Sequence, residues 1–77
     1  MVFKFGDLCI LNNDSIHSGE LVVVCKYECT FIKDGLPTKY FTVMKHGEGY
    51  FTDSEGMPSK YTCVSEYELT SLEYALN

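Results

Sequence analysis

The chain has 77 residues, enough for one domain with one core and too few for two. Hydrophobic residues make up 45% and charged residues 22%, which excludes an intrinsically disordered class, and the longest aliphatic run, Leu21-Val22-Val23-Val24, falls far short of the roughly 18 apolar residues of a membrane span. The net charge of −5 lies wholly in the C-terminal part: residues 1–46 hold as many lysines as acids, residues 47–77 set six acids against Lys60, and arginine is absent, so the basic stripe of a nucleic-acid binder is missing.

Strand signals dominate the chain. Asp7-Leu8-Cys9-Ile10-Leu11 is short and apolar, and Asn12-Asn13-Asp14-Ser15 opens a loop that continues through His17-Ser18-Gly19-Glu20. Residues 21–32 form a long β-prone stretch whose second half alternates, which predicts Tyr27, Cys29 and Phe31 on one face and Lys26, Glu28 and Thr30 on the other. Lys33-Asp34-Gly35-Leu36-Pro37 is a turn centred on Asp-Gly, and residues 39–45 read as the returning strand of a hairpin. His46-Gly47-Glu48-Gly49 is a further turn and Tyr50-Phe51-Thr52 a short strand. Residues 53–59 have no periodicity and read as an exposed loop, and residues 60–64 are a final strand. Ser65-Glu66-Tyr67-Glu68 has the S-x-x-E spacing of a capping box. Leu69, Leu72 and Leu76 then follow at helical spacing, which predicts a short C-terminal helix.

Five short strands near a helical turn point to a small barrel, because closure removes exposed strand edges. The segment Phe5-Gly6-Asp7-Leu8-Cys9-Ile10-Leu11 resembles the opening of SH3-like barrels of the KOW and Tudor groups. Residues 17–24 resemble their second strand, Lys39-Tyr40-Phe41-Thr42-Val43 their central strand, and Cys63-Val64-Ser65-Glu66-Tyr67-Glu68-Leu69 their closing turn. The resemblance covers residues 3–72 and implies a five-stranded SH3-like barrel with a short C-terminal helix, one domain over residues 1–77, acting as a binding module. Fold alone leaves its ligand open. The short, acidic, arginine-free chain also resembles the small accessory proteins that bacteriophages encode to bind host factors.

No chemistry stands out. Cys25 or Cys29 with His17 or His46 lacks the context of a nucleophilic site. Cys25 and Cys29 are too far apart along a strand to share one metal. Asp53-Ser54-Glu55-Gly56 is too short for a calcium loop. The expectation is therefore a protein that is not an enzyme and uses no cofactor or metal. Its four cysteines, Cys9, Cys25, Cys29 and Cys63, are expected to be free, with those in apolar runs behaving as core residues. Residues 1–7 lack the basic start and apolar stretch of a signal peptide, so the expected compartment is the cytoplasm, of the host if the chain is phage-encoded.

The expected binding surface is acidic and tyrosine-bearing: Glu48, Asp53, Glu55, Tyr61, Glu66, Tyr67 and Glu73, beside Tyr50. Tyrosine is favoured at interfaces, and clustered acids fit a protein partner with a basic surface, including one whose own ligand is nucleic acid. Helix capping accounts for Glu68 and in part Glu66, which leaves Asp53, Glu55 and Glu73 as the acids with the strongest functional claim. Two alternatives stand beside this reading. One is a KOW-like nucleic-acid-binding barrel using Lys26, Lys33, Lys39 and Lys45, and the other is a small structural homo-oligomer built by strand pairing.

Overall fold

A computed structural model describes residues 3–75. Its strands are β1 (Leu8–Leu11), β2 (Leu21–Lys33), β3 (Leu36–Lys45), β4 (Phe51–Thr52), β5 (Pro58–Ser59), β6 (Tyr61–Ser65) and β7 (Leu69–Ser71). A 3₁₀ turn, Glu66–Glu68, joins β6 to β7, and a single α-helical turn, α1 (Leu72–Ala75), follows. Five strands form one antiparallel sheet in the order β6-β3-β2-β1-β7, and β4 and β5 form a separate two-stranded ribbon.

The core is built by alternation. Cys9 and Leu11 of β1, Val22 and Val24 of β2, Phe41 and Val43 of β3, Val64 of β6 and Leu69 of β7 all point to one face, where Phe3 and Phe51 join them. This is the pattern of a sheet with one buried side. The two edge strands β6 and β7 are only four residues apart in sequence between Ser65 and Leu69. That length of chain reaches at most about 14 Å, whereas the edges of a flat sheet of this width lie about 19 Å apart. The sheet must therefore curl. Asn12 ties the turn across the gap: its N–H donates to the Glu68 carbonyl at 2.9 Å and its side-chain amide to the Tyr67 carbonyl at 2.9 Å. No ladder joins β6 to β7 among the described residues, so the sheet is curled but not closed.

The Asp-Gly turn forms where the sequence predicts it. Asp34 and Gly35 have φ of 52° and 80°, the left-handed pair that a two-residue type I′ turn requires. The returning strand begins at Leu36, three residues earlier than expected, because this short turn pairs Lys33 directly with Leu36.

Three expectations are corrected. First, the alternation of β2 is broken by register shifts between Val24 and Lys26 and between Tyr27 and Cys29. The second bulge, at Glu28, pairs Tyr27 with Phe41 but Cys29 with Tyr40. Tyr27 therefore lies on the face of Thr30, to which its hydroxyl is hydrogen-bonded, and apart from Cys29 and Phe31. Second, residues 53–59 are not a plain loop, because Pro58 and Ser59 pair back onto β4. Third, Ser65-x-x-Glu68 does not start the C-terminal helix. The Glu68 carboxylate does accept the Ser65 N–H at 2.7 Å, but it closes only the 3₁₀ turn. Leu69 then enters β7 opposite Leu11, where the sheet buries it. Tertiary burial outweighs one turn of local propensity here. The helical stretch is the single turn α1, and Leu76 lies outside the described residues.

All four cysteines are free. Cys9 is buried in the core, as expected, but Cys63 is exposed: Val64 takes the inner position on β6 and turns Cys63 outward. No helix of the described residues is long and apolar enough to cross a membrane.

Candidate functional site: the acidic excursion between β3 and β6

Between β3 and β6 the chain leaves the sheet over residues 46–60 and returns. The excursion is held at its base by Lys45 N–H to the Lys60 carbonyl and His46 N–H to the Leu21 carbonyl, both 2.9 Å. Its anchor is Phe51, 3% exposed. The His17 ring lies against Phe51 at 4.8 Å between centroids, and the Lys45 ammonium sits 5.1 Å from the ring centre. Lys45 also pairs with Glu20 at 3.0 Å.

The tip is organised by Asp53. Its Oδ1 accepts the N–H groups of Glu55 at 2.9 Å and Met57 at 2.8 Å, while its backbone bonds to Met57 and Gly56. This is an Asx turn, in which a short carboxylate replaces backbone partners. Asp53 thus has a structural task that sequence reasoning missed, although the spacing Asp-Ser-Glu-Gly between two short β-prone pieces carries the signal.

Around this frame stand Glu48, Glu55, Tyr50 and Tyr61, all exposed. The excursion's one cation, Lys60, is already engaged. Its ammonium donates to the Gly47 carbonyl at 2.8 Å and lies 5.3 Å from the Tyr50 ring centre. The lysine therefore props the turn that presents Glu48, and its one positive charge leaves the excursion, with Glu48, Asp53 and Glu55, net negative by two.

The other expected site residues lie elsewhere. Glu66 Oε2 accepts the Lys39 N–H at 2.7 Å and so fastens the 3₁₀ turn to β3. Tyr67 is exposed on that turn and, with Glu66 and Phe3, borders an open depression. Glu73, on α1, lines a different depression with Lys4 and Asp7. The seven residues thus fall into three places: Glu48, Asp53, Glu55 and Tyr61 at the excursion and its return, Glu66 and Tyr67 on the 3₁₀ turn, and Glu73 on α1.

The remaining chemistry is sparse. Among the described residues no group of His, Cys, Asp and Glu is arranged to hold a metal ion. Burial, helped by Asp7, pushes the Cys9 thiol up to about 11, so it stays protonated. Burial, with Glu28 and other acids nearby, also pushes up the Cys63 thiol. Glu28 is held below the usual carboxylate range by hydrogen bonds from Thr42 and Lys26. Of the four lysines of the nucleic-acid alternative, Lys26 is paired with Glu28 at 3.3 Å and Lys45 with Glu20. No family model, curated protein or solved structure matches the chain.

Proposed function

We propose that this chain is a non-catalytic protein-interaction module of the SH3-like kind, and that the acidic excursion of residues 46–60 meets a basic surface on another protein. The observation that carries the reading is a lobe of net negative charge on which Glu48, Glu55 and Tyr50 are exposed, with exposed Tyr61 following at the start of β6. Aromatic area beside net negative charge suits association that is steered electrostatically and sealed by contact. The strand order, with a 3₁₀ turn before the last strand, supports the SH3-like architecture. In its sharper form the module is an inhibitor, in line with the resemblance to phage accessory proteins, and its carboxylates occupy the phosphate positions of a nucleic-acid-binding target.

The test compares the wild-type chain with the double variant Glu48→Gln, Glu55→Gln. Proteins retained from a lysate by the immobilised wild type are identified by mass spectrometry, and binding is then measured with the purified partner. Association should be at least about threefold slower for the variant at low salt, and the difference should shrink as salt rises. Equal rates for both forms, or retention of nucleic acid in place of protein, would overturn the proposal.

A further inference from the structure

The far end of the β2–β3 hairpin stands clear of the rest of the sheet. β1 pairs with β2 only from Leu21 to Val23, and β6 pairs with β3 only from Tyr40 to Met44. Beyond these, residues 26–39 form a ribbon whose two long edges are managed differently.

A two-residue turn closes on a hydrogen-bonded pair, here Lys33 with Leu36. Alternation makes Phe31 with Thr38 the next such pair. Ile32 with Pro37 and Thr30 with Lys39 are then the intervening pairs, whose backbone groups point away from the hairpin. The β3 edge fits this scheme and is shut. Pro37 has no N–H to offer outward, and the outward N–H of Lys39 is taken by Glu66 at 2.7 Å. On the β2 edge, Thr30 and Ile32 keep outward N–H and C=O groups with no backbone partner among the described residues. The bulge at Glu28 and the lysines at positions 26 and 33 flank this stretch without covering it, and Phe31 and Ile32 beside it are 60% and 72% exposed. Natural proteins close such edges unless they use them.

We infer that this edge of β2 pairs antiparallel with the same edge of a second copy of the chain, about a two-fold axis through Phe31. The strand is complementary to itself in that register. Thr30 faces the partner's Ile32 and Ile32 the partner's Thr30, so every outward group finds its mate. Phe31 meets the partner's Phe31 in a close, non-hydrogen-bonded pair, the arrangement in which cross-strand aromatics contact best. The charges match as well. The register sets each Lys33 opposite the partner's Cys29, whose bulged neighbour Glu28 is next in sequence, twice by symmetry. Residues 26–39 carry three lysines and two acids, so the excess negative charge lies outside the contact.

The experiment is sedimentation equilibrium of the full chain with three variants. The wild-type mass should rise from 8.8 kDa toward twice that value across about 5 to about 500 µM, a range that brackets micromolar self-association. Ile32→Pro removes the outward donor while leaving the β2–β3 ladder intact, as Pro37 does opposite, and should weaken the dimer at least about tenfold. Lys33→Glu sets like charges together and should weaken it at least about threefold at low salt. Lys33 is exposed at the end of the ribbon, so this variant carries the test if Ile32→Pro disturbs the fold by circular dichroism. A monomer at every concentration would overturn the inference and leave the edge to an extended segment of another protein. A dimer indifferent to both changes would overturn it by placing the contact elsewhere. Glu48→Gln, Glu55→Gln lies off this edge and should leave the dimer unchanged, so failure here is distinct from failure of the proposed function.

Discussion

Asp53 is the residue where a structural and a binding role are easiest to confuse, and the structure separates them. Replacement by Ala removes the Oδ1 that accepts the Glu55 and Met57 N–H groups at 2.9 and 2.8 Å. Bonds to an ionised acceptor are among the stronger ones, but this carboxylate is exposed, and water competes for both donors. A loss of about 0.5 to 1 kcal/mol per bond is the reasonable scale, or about 1 to 2 kcal/mol for the turn. The β4–β5 ribbon pairs only two residues on each strand, so the loss should appear as local opening and leave the sheet intact. Amide exchange at Glu55 and Met57 should accelerate by about fivefold to thirtyfold in Asp53→Ala, with β2 and β3 amides unchanged. Asp53→Asn keeps an acceptor oxygen and should show a much smaller change. Partner binding weakened by Asn without faster exchange would mark a role for the charge itself. Exchange at Glu55 and Met57 that is identical in wild type and Asp53→Ala would refute the Asx-turn argument.

Two further predictions follow from the core and the hairpin. Cys9 ionises at 9.0 when exposed and at about 11 when folded, so the stability it lends is complete below pH 9 and is lost as pH rises toward 11, by roughly 2 to 3 kcal/mol. Chemical denaturation across that window should be steeper in pH for the wild type than for Cys9→Ala, and parallel curves would exclude the effect. Gly35, at φ 80°, has open space where a Cβ would go, so Gly35→Ala tests the backbone alone. It should cost about 1 to 2 kcal/mol and lower Tm by roughly 5 to 10 °C, and an unchanged Tm would rule out the type I′ turn.

Much of the sheet was legible because it rests on local signals. Asp34-Gly35 names its own turn, and the apolar runs Leu8–Leu11 and Leu21–Val24 mark two strands, although an unbroken run does not show which of its residues face inward. The bulge at Glu28 was not legible, since an inserted residue leaves the sequence looking regularly alternating while reversing every side chain beyond it. Ser65-x-x-Glu68 was read as the start of a helix because the capping motif is the same for a 3₁₀ turn. What redirects Leu69 is Leu11, 58 residues away in sequence and invisible to a local window. The candidate site was legible as composition and not as place. Acid-rich residues 47–77 include Glu66, which ties β3, and Glu73, which sits beside Lys4, and only folding sorts them from Glu48 and Glu55.

The link from β6 through the 3₁₀ turn to β7 also sets an order of events during synthesis. β1 is made early, yet one of its two neighbours is β7, and Asn12 at its end waits for Tyr67 and Thr70. A sheet of β1, β2 and β3 alone therefore has both flanks bare, and the β1 flank stays so until nearly the whole described chain is made. Contacts of that sequence separation form slowly, and an uncovered strand is open to pairing with a neighbouring nascent chain.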